Sequence, residues 1–304
     1  MDVYFYEAFE EEVAALRKHL PTSIRAGFTW KTIQEAGDIA PTTLLTSIRT
    51  QSAIPAGWGT RLAGILSRTT GYDHLTGLRV PAGYLPLYCN RAVAEQAMLL
   101  WMALLRKLPA QIEQFPRFNR NGLTGRECAG KNLLVVGVGH VGSEVVKIGT
   151  GLGMNVRRVD LLPDRMDISI AEGLPWADVI VCTMNLTAQN AGYFSYDRLR
   201  QAKHGVLFVN VARGELSPTD ALMGLLDEGY LGGVALDVYD DERKLAVDLR
   251  AGQGSFQLAG RANVILTPHN AFNTEEAVER KSEQTARQVQ QFLKDGTFLW
   301  PVPR

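Results

Sequence analysis

From Lys131 onward, short runs of aliphatic residues alternate with stretches whose apolar positions recur every three or four residues. The runs 133–139 (LLVVGVG), 155–160 (NVRRVD), 177–184 (ADVIVCTM), 205–212 (GVLFVNVA), 232–239 (GGVALDVY) and 263–268 (NVILTP) have strand length and strand composition. The stretch 141–153 (VGSEVVKIGTGLG) predicts the helix that follows the first of them. Strands that are apolar throughout, separated by helices, belong in a parallel sheet covered on both faces. Six of them fit a doubly wound α/β domain that binds a dinucleotide.

A smaller alternation fills the first part of the chain. The segments 2–8 (DVYFYEA), 42–48 (TTLLTSI) and 62–70 (LAGILSRTT) predict strands, and 7–19 predicts a helix. This points to a second, smaller α/β domain. Two helices connect the two patterns. One is expected over 91–109, ending at Pro109; the other is expected over 274–296, with Gly296 just past its end. For the second helix, Asn273 with Glu276 has capping-box spacing, and Thr274 is an alternative cap. These helices would carry the chain out of the small domain and back. The expected division is 1–97 plus 275–304 for a discontinuous substrate domain and 98–274 for the dinucleotide domain. No internal repeat or low-complexity stretch interrupts the pattern.

Composition narrows the partners. The 304 residues suit about two domains at roughly 150 residues each. The 32 basic and 32 acidic side chains balance, which gives no electrostatic basis for binding nucleic acid or an anionic membrane. The N-terminal stretch is acidic and amphipathic, unlike a signal peptide, and no apolar run approaches membrane-span length. Three cysteines, Cys89, Cys128 and Cys182, form neither CxxC nor Cys/His spacing, so neither a disulfide framework nor a metal site is expected. Reduced thiols fit a cytoplasmic protein.

The chemistry begins at Gly137-Val138-Gly139-His140-Val141-Gly142, a GxGxxG turn between a strand and a helix. Its first glycine permits the turn, its second admits a pyrophosphate, and its third allows close helix packing. The free N–H groups at 139–142 would then receive the phosphates, His140 contributing backbone rather than ring. Asp160 ends the next strand, 18 residues after Gly142. A carboxylate there accepts from ribose hydroxyls and repels a 2′-phosphate, which favours NAD over NADP; the neighbouring Arg157 and Arg158 pull the other way.

Three later strands each end in a chemically distinctive segment: NVARGE (210–215), ALDVYDDE (235–242) and LTPHNAFNTEEA (266–277). The carboxyl ends of such strands face the ligand crevice, and these supply Arg213, then Asp237 and Glu242, then His269. Arginine offers a planar fork to a carboxylate and an adjacent carbonyl oxygen. Histidine exchanges a proton near neutral pH, and a carboxylate beside it orients and stabilises the imidazolium.

With these motifs the sequence resembles the D-isomer-specific 2-hydroxyacid dehydrogenases over nearly its whole length. The N-x-A-R-G motif is 210–214, the D-V-[FY]-x-x-E motif is 237–242, and T-P-H is 267–269. The resemblance implies a Rossmann cofactor domain with a smaller, flavodoxin-like substrate domain. It also implies hydride transfer between NAD(H) and C2 of a small 2-hydroxy or 2-keto acid. Carried over position by position, Arg213 binds substrate, His269 is the acid/base and Glu242 its partner. Met184, Asn185, Asn190, Val211, Ala212 and Asp237 join Gly137, Gly139, His140, Val141, Gly142 and Asp160 at the cofactor. Thr70-Gly71-Tyr72-Asp73 resembles the x-G-x-D loop whose N–H groups hold the substrate carboxylate, and Tyr88 falls in the segment that closes over substrate.

Three positions depart from the pattern. Asn185 and Arg243 stand where the family has proline, and His74 where it has asparagine. None removes a catalytic group, but they leave the identity of the substrate open. Glu242 in place of glutamine disfavours formate, and Phe272 after Ala271 leans towards an apolar 2-keto acid. The resemblance also implies a homodimer. The rival reading is an NAD-sensing, corepressor-like protein without significant turnover; the long basic or disordered extensions suited to that role are missing from this sequence.

Overall fold

The structure, a computed structural model, describes residues 1–253 and 256–303. Its contacts divide the chain into two compact units, Met1–Cys89 with Asn273–Arg304, and Asn90–Phe272. The boundary assigns the whole helix Asn90–Leu105 to the second unit.

The first unit is built on five parallel strands: β1 (Val3–Phe5), β2 (Ala26–Phe28), β3 (Leu45–Ile48), β4 (Gly64–Ser67) and β5 (Ala82–Gly83). Their order, β2-β1-β3-β4-β5, is that of a flavodoxin-like sheet. Apolar residues of β1, β3 and β4, among them Val3, Phe5, Leu45, Ile48, Ile65 and Leu66, are buried. The helix Glu10–His19 opens on three glutamates and closes on Arg17, Lys18 and His19, which complements its dipole. It starts three residues later than the sequence pattern suggests because Glu7 is diverted. This residue takes a left-handed backbone, and its carboxylate accepts the N–H groups of Arg49, Gln51 and Ser52. The crevice beyond β1 and β3, where the chain switches direction across the sheet, is thus filled by the protein's own anion.

The second unit carries six parallel strands: β6 (Asn132–Val136), β7 (Asn155–Val159), β8 (Val179–Cys182), β9 (Leu207–Asn210), β10 (Gly233–Leu236) and β11 (Val264–Leu266). They run β11-β10-β9-β8-β6-β7 across the sheet. β8, β9 and β10 are buried at every residue, as expected of strands covered on both faces. The chain reverses its winding between β6 and β8, so the carboxyl ends of these two strands bound the ligand crevice of a doubly wound sheet.

Two helix ends differ from the sequence pattern. The helix Asn90–Leu105 stops before Pro109. Lys107 turns left-handed, and Pro109 sits in the first turn of a new helix, Leu108–Gln114, where its missing N–H costs nothing. At the helix Glu275–Asp295 the cap is Thr274, whose hydroxyl accepts from the Ala277 N–H at 3.2 Å. Gly296 closes the helix in the left-handed conformation.

Candidate active site

The glycine turn after β6 is shaped by close approach. Gly137 has φ +91°, and a Cβ there would stand 2.7 Å from the backbone of Met184. A Cβ on Gly142 would stand 2.1 Å from the Gly137 carbonyl oxygen. Both positions therefore exclude a side chain, and the helix His140–Gly151 packs directly on the turn. At Gly139, by contrast, an added Cβ meets no protein atom within 4 Å. Gly139 is the helix cap and offers no capping side chain, so the first N–H groups of His140, Val141 and Gly142 point towards an open approach. This is the cradle a pyrophosphate requires.

Asp160 braces the cradle from the end of β7. Its carboxylate accepts from Val138 N–H at 2.5 Å and Leu162 N–H at 3.0 Å. The two nearby arginines are engaged elsewhere. Arg158 binds Asp167, and Arg157 lies 4.8 Å above the Trp176 ring. The cation expected for a 2′-phosphate is thus absent at both positions, while the carboxylate suited to a free ribose is in place.

After β8, Thr183 donates its hydroxyl to the Gly137 carbonyl at 2.6 Å and ties the two strand ends together. Asn190 spends its side chain inside its own loop, donating to the Asn185 carbonyl and accepting from Thr187 N–H. Asn185 is exposed, Met184 half-buried and Val211 buried.

Arg213 owes its placement to its neighbours. Asn210 is fully buried at the end of β9; its Oδ1 accepts from Ala212 N–H, and its Nδ2 donates to the Arg213 carbonyl at 2.8 Å. Gly214 follows, where a Cβ would lie 1.8 Å from the Tyr239 carbonyl carbon. The absence of a side chain lets the arginine turn press against the segment that leads to Glu242.

The ends of β10 and β11 are laced together. Asp237, 1% exposed, accepts from the Thr267 hydroxyl at 2.5 Å and from Asn270 and Ala271 N–H at 2.9 Å each. Tyr239 donates to the Thr267 carbonyl at 2.7 Å. This clamp holds His269 in a left-handed conformation, φ 50°, which is uncommon for a residue other than glycine. The ring Nδ1 lies 2.7 Å from Glu242 Oε1. Glu242 is the first residue of the helix Glu242–Arg250, after a second left-handed residue, Asp241. Burial pushes its carboxyl pKa up, but the His269 hydrogen bond and the charges of His269 and Arg213 outweigh burial and hold it below the usual value. The carboxylate is therefore kept ionised and is lost only as pH falls through that lowered value. Replacing Glu242 with glutamine removes the counter-charge while preserving shape. The alkaline limb of the kcat/KM profile is then expected to move to lower pH by about one unit or more, as read from steady-state rates across pH.

The first unit holds Thr70, Gly71 and Tyr88. Thr70 donates its hydroxyl to the Leu85 carbonyl at 3.0 Å. Among the described residues no acceptor meets the backbone N–H of Thr70 or Gly71. Tyr88 is buried, with its carbonyl accepting from Arg280 at 2.9 Å. Phe272, which ends the second unit, is also buried. The motifs by themselves assign no role to Asn210, Gly214, Thr267 or Tyr239, although each lies inside one of them.

Residues 98–271 match the profile of the D-isomer specific 2-hydroxyacid dehydrogenase NAD binding domain. A 2-hydroxyacid dehydrogenase homolog of Schizosaccharomyces pombe is 32% identical over 237 residues, covering 73% of this chain and 70% of the relative. An NAD+-dependent D-2-hydroxyacid dehydrogenase of Lacticaseibacillus paracasei is 30% identical, covering 69% and 68%. The crystal structure of an Aquifex aeolicus D-lactate dehydrogenase with NAD and lactic acid superposes with a TM-score of 0.86 at 25% identity, covering 98% of this chain and 99% of that one.

Proposed function

The chain belongs to the D-isomer-specific 2-hydroxyacid dehydrogenases, and on that premise we propose that Arg213, Glu242 and His269 are the residues that carry its reaction. It is an NAD-dependent oxidoreductase that moves a hydride between NAD(H) and C2 of a 2-hydroxy or 2-keto acid. The observation that supports the catalytic assignment is the 2.7 Å contact between His269 Nδ1 and Glu242, with the Arg213 charge acting on the same carboxylate.

When bound, NADH supplies the hydride to C2. The cradle at 139–142 holds the pyrophosphate, and Asp160 takes the ribose hydroxyls. Met184, Asn185, Asn190, Val211, Ala212 and Asp237 are proposed to line the cofactor, Asp237 doing so while it clamps the His269 loop. Arg213 presents its fork to the substrate carboxylate and polarises the C2 carbonyl. His269 holds a proton on Nε2 and donates it to the forming alkoxide, while Glu242 fixes the tautomer through Nδ1 and stabilises the imidazolium. In the first unit, the N–H groups of Thr70 and Gly71 are suited to a carboxylate; Tyr88 of that unit and Phe272 of the second are assigned to the substrate side.

The test is NADH oxidation with pyruvate, glyoxylate, hydroxypyruvate and longer 2-keto acids. Turnover of at least one is expected. Tight NADH binding with no turnover of any would favour the sensor reading.

We place the enzyme in the cytoplasm: among the described residues no disulfide joins its cysteines, and no helix is long and apolar enough to cross a membrane. We also assign it a homodimer. Leu99, Leu108, Ile112, Phe115 and Phe118 stand exposed within one short stretch of the second unit, the last two at 74% and 75%. Large apolar side chains gathered this way mark an association surface. Light scattering after size exclusion is expected to give twice the chain mass, and Phe115→Asp with Phe118→Asp to shift it towards one. A wild-type particle of single-chain mass would remove the assignment.

A further inference from the structure

The loop assigned to the substrate carboxylate hangs on a chain of hydrogen bonds that the reaction as described does not use. Ser67 ends β4 and is fully buried; Thr69 is buried two residues later. Their hydroxyl oxygens lie 2.5 Å apart. Ser67 Oγ also lies 3.0 Å from Nε2 of the half-buried His74, and the Thr69 hydroxyl lies 2.7 Å from the Gly71 carbonyl oxygen. Arg68, between the two hydroxyl residues, is buried as well. Its Nε donates to Glu12 Oε1 at 2.8 Å, and Lys281 Nζ lies 2.9 Å from the same oxygen. Arg68 also donates to the Ser47 hydroxyl at 2.9 Å and to the Tyr6 carbonyl at 2.6 Å. The Glu12–Arg68–Lys281 cluster therefore holds the stretch of main chain that carries both hydroxyls.

Counting protons gives the chain its direction. A carbonyl oxygen only accepts, so the one proton of the Thr69 hydroxyl goes to Gly71. Thr69 Oγ1 then only accepts in its contact with Ser67, and that contact takes the Ser67 proton. Ser67 Oγ has no proton left for His74 and must accept from it. His74 Nε2 therefore carries a proton. Were Nε2 bare, the Ser67 proton would turn to it, the Thr69 proton would turn to Ser67, and the Gly71 carbonyl would lose this donor. The ring thus sets the sense of every bond as far as the 69–71 loop.

We propose that His74 is a positioning residue for the substrate carboxylate: by donating from Nε2 it commits Ser67 to Thr69 and Thr69 to the Gly71 carbonyl. The loop is tied on its other side by the Thr70 hydroxyl, which donates to the Leu85 carbonyl at 3.0 Å. The backbone N–H groups of Thr70 and Gly71, which meet no acceptor among the described residues, lie between these two ties. They are held in place before an anion arrives, so less ordering has to accompany its binding. This rests on the reading of Thr70 and Gly71 as carboxylate donors. It also gives a purpose to one of the three departures from the family pattern. Where asparagine is usual, histidine carries its donor further from the backbone, within reach of Ser67.

The experiment measures KM and kcat for a 2-keto acid, with NADH saturating, in wild type, His74→Leu, His74→Gln, Thr69→Val and the double variant His74→Leu with Thr69→Val. His74→Leu and Thr69→Val are each expected to raise KM about three- to tenfold, the worth of one hydrogen bond. Their kcat should stay within about twofold, because the hydride chemistry is set elsewhere. The double variant should be no worse than Thr69→Val alone, since His74 acts through Thr69. His74→Gln, whose amide reaches the place of Nε2, should stay within about twofold of wild type. Should His74→Leu fail to fold, Ser67→Ala breaks the same chain and takes its place. An unchanged KM in His74→Leu, a His74→Gln no better than leucine, or effects that multiply in the double variant would mean independent packing and overturn the proposal. So would a nitrogen NMR spectrum that puts the His74 ring proton on Nδ1 alone. Any of these in a wild type that turns over strikes this inference and spares the site. If the wild type reduces no 2-keto acid, the reading of the site itself falls, and this inference with it.

Discussion

Replacing His269 with alanine is expected to lower kcat by about 10²–10⁴, the usual contribution of a positioned general acid, while NADH binding stays within about twofold. The separation follows from the architecture. The histidine is delivered by the loop after β11, whereas the cofactor cradle is built from the ends of β6, β7 and β8. Alanine also inherits a left-handed backbone, φ 50°, that histidine already adopts at some cost. His269→Asn is the better control, since asparagine tolerates this conformation and still cannot serve as the acid. Equal losses in both variants, with NADH titration unchanged, would assign the effect to the missing proton donor. Undiminished turnover in His269→Asn would remove His269 from the reaction.

Asp237→Ala is expected to be the most damaging substitution outside the catalytic trio. Its carboxylate accepts the buried Ala271 N–H and also receives Asn270 N–H and the Thr267 hydroxyl. Stranding buried donors costs about 1–3 kcal/mol each. A two-domain chain of this size would lose roughly 5–15 °C in melting midpoint, at about 2–4 °C per kcal/mol. The same change frees the loop that forces His269 into its conformation, so kcat should fall at a temperature where the protein is still folded. Burial raises the Asp237 carboxyl pKa while the three donors oppose it. A raised value means that the carboxylate takes up its proton at a higher pH than an ordinary aspartate, so the ionised clamp is expected to weaken earlier on acidification. Calorimetry and turnover on the same sample would check both effects; a variant with wild-type melting would refute the clamp.

Much of this was legible in the chain because certain positions admit few residue types. Gly137 and Gly142 are set by steric exclusion, and the strands β8, β9 and β10 announce themselves by continuous apolar runs. Other parts were hidden for physical reasons. β2 and β5 span three and two residues, too short to show a period. Pro109 reads as a stop but serves as a start, because a proline is harmless in a first turn. The braces around Arg213 and His269 lie inside motifs whose letters were visible, yet the function of Asn210 or Thr267 is a hydrogen bond across strands. The Glu12–Arg68–Lys281 cluster joins residues so far apart in sequence that no local pattern could link them.

The central claim is hydride delivery to C2 by this chain, and it can be read from a single product. A 2-keto acid accepted by the enzyme is reduced with NADH dideuterated at the nicotinamide C4, and the hydroxy acid is resolved on a chiral column and examined by mass spectrometry. One deuterium at C2 of the D-isomer is the expected result. Unlabelled product, or label in the L-isomer, would contradict it.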